Sequence, residues 1–282
     1  MKAKMIRFFQ VIIILFIAGN VVGQEKFNLE FRYAAGTTYR YRTTGTFSTQ
    51  QQMNGQEMKV TGTTNSILRM FMESVSPEGN MTFINSYDEM KSSFKNSMLD
   101  TVMDQKDLIG KRGKVVLDKR GKQLSSEIMD SVPASNGLSG GSMAMVYSVN
   151  LFKIPDQAAG TGEKWSKDIN DTTKIGDGAM ISAGKSEYTL VGTEKKNNHD
   201  CFKITFTSNT EITGKMHQMG MEFFIEGTGE TTGTIWFDQK LGILISKEST
   251  STHDFTYAMT GQMKMSIPMT QVVQNTFTLI EE

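Results

Sequence analysis

Alternation of apolar and polar residues with a period of two dominates this chain. In Phe27-Asn28-Leu29-Glu30-Phe31-Arg32-Tyr33 every second residue is apolar, as a strand with one buried face requires. Tyr39 and Tyr41 alternate with Arg40 and Arg42 in the same way. Met58–Val75 is apolar on both faces around Leu68-Arg69-Met70-Phe71-Met72, which predicts a central strand. Asn54-Gly55 predicts a tight hairpin turn before it, and Ser76-Pro77-Glu78-Gly79-Asn80 a second turn after it. Further strands are expected at Met81–Tyr87, Lys114–Leu117, Lys122–Ser126, Tyr188–Thr193, Cys201–Ile212, Glu222–Glu226, Gly233–Asp238, Ile243–Thr250 and Val272–Ile280. Helix signals are few. Ser142 could cap a helix over Ser142–Phe152 that Pro155 stops, and Asn96–Leu108 could hold a shorter one with Met98, Leu99, Val102 and Met103 on one side. The expected class is mainly β and antiparallel, with one or two short helices.

Two motif pairs recur in the same order. Tyr33-Ala34-Ala35-Gly36-Thr37-Thr38-Tyr39-Arg40-Tyr41 resembles Gln157-Ala158-Ala159-Gly160-Thr161-Gly162-Glu163-Lys164-Trp165. Val115-Val116-Leu117-Asp118-Lys119-Arg120-Gly121 resembles Ile235-Trp236-Phe237-Asp238-Gln239-Lys240-Leu241-Gly242. From Gly36 to Asp118 is 82 positions and from Gly160 to Asp238 is 78, so the pairs are almost equally spaced. The expectation is a duplicated β module, with residues 24–141 as the first copy, 142–154 as a helical connector and 155–282 as the second, the two forming one continuous domain. Tyr41 and Trp165 should hold comparable strand positions. Asp118 and Asp238 are read as turn formers, since an Asp at the first turn position bonds its own backbone two residues on.

The first residues bear on the compartment. Lys2, Lys4 and Arg7 precede an apolar run, Phe8-Phe9-Gln10-Val11-Ile12-Ile13-Ile14-Leu15-Phe16-Ile17-Ala18-Gly19, and Val21 and Gly23 sit at the −3 and −1 positions of a cleavage site before Gln24. This is the secretory signal pattern, and the run is short for a membrane span. Residues 1–23 are therefore expected to be removed. The mature chain is expected to be periplasmic or secreted, with no transmembrane segment and no cysteine at the cleavage point to carry lipid. Sequencing the N-terminus of the exported protein should return Gln24; a chain beginning at Met1 would overturn the assignment. Thirty basic and thirty acidic residues balance, which leaves no electrostatic footprint for nucleic acid. The single cysteine, Cys201, cannot form an intramolecular disulfide.

Several short motifs carry a resemblance. Ile154-Pro155 followed by Gly160-x-x-x-x-Trp165, Gly233-Thr234-Ile235-Trp236-Phe237-Asp238 with Gly242, and Leu108-Ile109-Gly110-Lys111 are similar to stretches of an uncharacterised family of exported bacterial proteins of the Bacteroidota type. The resemblance covers most of the mature chain. It implies a curled antiparallel sheet distantly like that of periplasmic lipoprotein carriers such as LolA and LolB, and it brings no catalytic residues.

Enzyme motifs fail on context. Gly137-Leu138-Ser139-Gly140-Gly141 has the nucleophile-elbow spacing but follows a loop sequence, not an apolar strand. Ala179–Ser186 fits a relaxed phosphate-loop pattern, but strand-like residues follow it where a helix is needed. His199, His217 and His253 have no metal-binding spacing, and His199 in the polar turn Lys195–Asp200 reads as a solvated loop residue. Cys201, at the start of a strand, reads as a half-buried thiol. The 21 methionines are the unusual feature. Soft thioethers at Met216, Met219, Met221, Met259, Met263 and Met265 could hold Cu(I), yet methionine is spread along the whole chain, which favours packing or an adaptable apolar pocket. No cofactor or metal is expected. The leading expectation is a non-enzymatic protein that holds a hydrophobic, lipid-like ligand in a concave sheet face lined by Leu68, Met70, Phe71, Met72, Phe83 and Phe206. The alternative is an envelope scaffolding protein that binds a protein partner and has no cavity.

Overall fold

The computed structural model describes residues 25–53, 55–97, 100–130, 151–175, 178–218, 221–260 and 264–281. The signal-like segment, the Gly-x-Ser-x-Gly stretch and residues 142–150 of the expected helix lie outside them. The described chain forms β1 (Lys26–Phe27), β2 (Thr38–Met53), β3 (Gln56–Val75), β4 (Met81–Lys95), β5 (Asp100–Asp104), β6 (Gly113–Leu117), β7 (Gln123–Ile128), β8 (Ala159–Gly160), β9 (Lys164–Ile175), β10 (Gly178–Lys196), β11 (His199–Gln218), β12 (Met221–Asp238), β13 (Leu244–Thr260) and β14 (Met265–Leu279). Twelve of these make one antiparallel sheet in the order β7-β6-β4-β3-β2-β14-β13-β12-β11-β10-β9, with β5 paired to β4. Its outer strands, β7 and β9, are not paired with each other, so among the described residues the sheet does not close. Strands β1 and β8 form a small separate pair.

Most strands are longer than their apolar alternation suggests. Glu222–Glu226 and Gly233–Asp238 are two ends of the single strand β12, joined through Gly227-Thr228-Gly229-Glu230-Thr231-Thr232. Threonine's branched side chain suits a pleated strand even where no apolar residue marks it. Ala179–Ser186 lies wholly within β10, so the phosphate-loop pattern there is strand. The helix expected in Asn96–Leu108 is replaced by β5 and a single 3-10 turn, Lys106–Leu108. Tertiary pairing decides this. Strand β6 covers only Met81–Asn85 of β4, and β5 covers Lys91–Lys95, where an open edge would otherwise run on. At the connector, residues 151–154 are non-helical, with Leu151, Phe152 and Ile154 buried.

The two halves share a hydrogen-bond register. The Gly36 N–H donates to the Met72 carbonyl while the Met72 N–H donates to Thr37; Gly162, Leu190 and Glu163 repeat this. Tyr39 then faces Met70 as Trp165 faces Tyr188, so Tyr39, not Tyr41, occupies the place of Trp165. Met72, Phe83 and Val115 lie in one row, as do Leu190, Ile204 and Ile235. Register shifts fall between Met72 and Ser74 and between Leu190 and Gly192, and again beside Leu117 and beside Phe237. Both aspartates form the expected turns. Asp118 Oδ1 accepts from the backbone of Arg120 and Lys122, and Asp238 Oδ1 from that of Lys240 and Leu241. Gly121 and Gly242 complete these turns at φ +81° and +68°.

The core sits at one end of the sheet, between two crossing segments. Residues 28–34 keep their alternation, burying Leu29, Phe31 and Tyr33, but they join no ladder. Instead the Phe31 N–H donates to Lys119 in the β6–β7 turn (3.2 Å), and the Arg32 N–H donates to Gly242 in the β12–β13 turn (2.9 Å). Strands β6 and β12 are six ladder steps apart, about 29 Å in a flat sheet. Adjacent residues of one segment can reach both turns only because the sheet curls. The second crossing segment contributes Leu151, Phe152 and Ile154, with Phe152 packed against Phe31 and Phe237 at ring separations of 5.3 and 5.5 Å.

Candidate functional site

The core residues define the inner, concave face, and strand alternation assigns every other residue to it. Leu68, Met70, Met72, Phe83 and Phe206 all lie on this face and are buried. Phe71 does not. Its neighbours Met70 and Met72 point inward, so the alternation turns Phe71 to the opposite face, where it is 38% exposed. The packed end of the inner face places Phe31, Tyr33, Leu151 and Phe152 against these side chains, so Met70, Met72 and Phe83 are fully enclosed by the chain itself.

Beyond the core the strands continue and the inner face opens. A groove of about 280 Å³ begins under Leu151 and Phe152. Ser186, Ser208, Thr210, Lys247 and His253 contribute polar groups to it, and Phe206, Ile212 and Ile235 contribute apolar surface. Two close approaches shape the floor. A Cβ on Gly233 would lie 2.6 Å from Phe206, and one on Gly229 would lie 2.5 Å from His253 Nδ1, so each ring lies flat over a glycine of the neighbouring strand. Ser186 and Ser208 share a hydroxyl hydrogen bond of 2.7 Å.

Further out the same face becomes apolar. Along β13 it carries His253, Phe255, Tyr257 and Met259; their register partners on β14 are Gln271, Met269, Ile267 and Met265. His253 stacks on Phe255 at 5.4 Å, and Phe255 packs edge-on to Tyr257 at 6.2 Å. A second hollow of about 270 Å³ is lined by Gln51, Phe223, Tyr257, Ala258, Met259, Met265, Ile267 and Met269. These side chains are half-buried, unlike the methionines of the core. The methionine pairing at Met259 and Met265, which could be read as a thioether metal motif, is thus part of an apolar wall.

Three further groups depart from or extend the sequence reading. His199 opens β11 and is held between two carboxylates, Nδ1 at 2.7 Å from Asp238 and Nε2 at 3.1 Å from Glu281, so it pins the chain's end to a turn and is not a solvated loop residue. Cys201 is fully buried, and burial first, with Asp238 nearby second, pushes its thiol up to about 12. Sequence reasoning does not single out Lys247, and it meets His253 only as one of three scattered histidines, because an isolated Lys or His in a Ser/Thr-rich strand reads as solvated.

No family model matches the chain, and no curated protein matches it. Among solved structures, OccK5 (OpdH) of Pseudomonas aeruginosa is similar over 88% of this chain and 100% of its own, at 8% identity and a TM-score of 0.28. A likeness at that level carries no inference about function. Among the described residues no helix is long and apolar enough to cross a membrane.

Proposed function

We propose that this protein is an exported, non-enzymatic carrier that holds an apolar, lipid-like ligand against the outer reach of its concave sheet face. One observation carries the reading. The inner face changes from a packed core to a half-exposed wall of Phe, Tyr, Ile and Met, centred on Tyr257, Met259, Met265 and Met269, with a hollow in front of it. Methionine suits such a wall because its unbranched, polarizable side chain fits varied apolar shapes. The charged N-terminal residues and apolar run of residues 2–19 support export. The shared register of the two halves supports a duplicated module, with β14 of the second copy closing onto β2 of the first.

Titration with an environment-sensitive apolar dye tests the site. Saturable binding is expected, and Tyr257→Asp or Met269→Asp should abolish it while the β circular-dichroism signal persists. Phe71→Asp, on the opposite face, should leave binding unchanged. A folded protein that shows no saturable binding would overturn the carrier. The scaffolding alternative would then gain from edge strand β7, which is exposed along its whole length and presents Leu124 and Ile128 to an incoming strand.

A further inference from the structure

We infer that the carrier's ligand is an anionic amphiphile, whose acidic head group is taken by Lys247 inside the groove while its apolar part lies toward the methionine wall; this rests on the carrier reading. Lys247 is set on an apolar floor. Its cross-strand neighbours on the inner face are Ile235 and Phe277, and its ammonium lies 5.3 Å from the Phe206 ring centroid. Among the described residues it has no carboxylate partner, although nearby cations do: Lys167 pairs with Asp156 at 2.6 Å and Lys196 with Glu248 at 2.9 Å. A half-buried lysine in apolar surroundings is destabilising unless an anion meets it. Burial alone pushes its ammonium down to about 8.

A second group on the same strand marks where the polar stretch of the groove ends. His253 lines the same groove as Lys247, its ring lying over Gly229 with Nδ1 against that glycine and without a hydrogen-bond partner among the described residues. The two are six positions apart, about 20 Å along the strand at about 3.4 Å per residue. Between them the groove offers the hydroxyls of Ser186, Ser208, Thr210 and Thr231. Beyond His253 the face is apolar. Cation, hydroxyl band and greasy wall therefore follow one another in the order of an acidic head, its polar shoulder and a hydrocarbon tail. Asp168 and Asp171 of β9 line the opposite wall, and neither forms an ion pair with Lys247. They leave the cation available, and because like charges repel they confine the favourable place for an acidic group to the neighbourhood of Lys247.

The test compares dodecyl glucuronide with dodecyl glucoside, probes alike in sugar hydroxyls and chain length but unlike in charge, by displacement of the apolar dye from the full mature protein. The glucuronide is expected to bind at least about tenfold more tightly, the scale of one charge-assisted hydrogen bond. Lys247→Met removes the charge at similar volume and should not threaten folding, since it relieves a desolvated cation. It should abolish the preference while the glucoside binds as before, and Lys247→Arg should keep it. Equal affinity of the two probes for the unaltered protein, or a preference that survives Lys247→Met, would overturn the head-group assignment and leave the carrier standing. Absence of binding by either probe would overturn both.

Discussion

Raising the pH is expected to unfold the protein abruptly between about pH 10 and 12, because three acidic protons are held far more tightly in the fold than in the free chain. Cys201 is raised from 9.0 to about 12, chiefly by burial. Tyr33 is raised from 10.0 to about 12, again chiefly by burial, and the same cause raises Tyr41 well above 10.0. The two tyrosine hydroxyls lie 3.0 Å apart, and Tyr41 donates to the Leu244 carbonyl at 2.8 Å, so neither can ionise in place without a buried, uncompensated charge. Where the unfolded chain has lost a proton that the fold retains, stability falls with pH by about 1.4 kcal/mol per group per unit. Lys247 acts in the opposite sense. Its folded value near 8 lies below the ordinary 10.5, so stability rises as pH passes from 8 to 10.5, and this gain masks the early loss from Cys201. Above 10.5 the gain is complete and three groups act together, removing about 4 kcal/mol per pH unit. Over 1.5 units that is about 6 kcal/mol, comparable with the whole stability of an ordinary domain. Far-ultraviolet circular dichroism and tyrosinate absorbance should change together. Tyrosines that all ionise near pH 10 with the sheet intact would show that Tyr33 and Tyr41 are not enclosed. Cys201→Ala should flatten the slope above pH 10.5 by about a third and leave the slope below pH 9 unaltered.

Phe31→Ala should destabilise the fold by about 3–5 kcal/mol, the usual cost of removing a buried aromatic ring. Phe31 is 4% exposed and lies on a segment with no ladder of its own, so its side chain anchors a long stretch of backbone. Phe152 and Phe237 meet its ring edge-on at 5.3 and 5.4 Å, and Tyr33 stacks at 6.1 Å. Its loss would also loosen the backbone bridge from Lys119 to Gly242 that holds the two ends of the curl together. Phe71→Ala is the matched control. That ring is 38% exposed on the outer face, and its removal should cost under about 1 kcal/mol. Urea unfolding followed by tryptophan fluorescence compares the two. Similar midpoints would mean that residues 28–34 do not belong to the core.

What the sequence by itself determined is the periodicity and the turns. A period of two marks strands because alternate side chains must leave opposite faces, and this holds wherever the strand pairs. Gly55, Ser76–Asn80, Asp118 and Asp238 mark turns because their preferences are local, set by one residue and its own backbone. Alternation also placed Leu68, Met70 and Met72 on one face, and it placed Phe71 on the other, which a pocket built from the whole run overlooks. Tertiary structure alone decided what stands opposite each face. Nothing local in Met70 says that Phe31 and Phe152 will cross in front of it, or that nothing in the described chain will cross in front of Tyr257 and Met269, since those contacts join residues far apart in sequence. The same reason explains Asn96–Leu108, whose strand exists to cover the free half of β4, and His199, whose partners lie 39 and 82 positions away. Lys247 is the sharpest case. Its sequence neighbours Ser246 and Glu248 suggest a solvated lysine, and only the pairing of distant strands sets Ile235 and Phe277 beside it and Phe206 under its ammonium, with no counter-ion among the described residues.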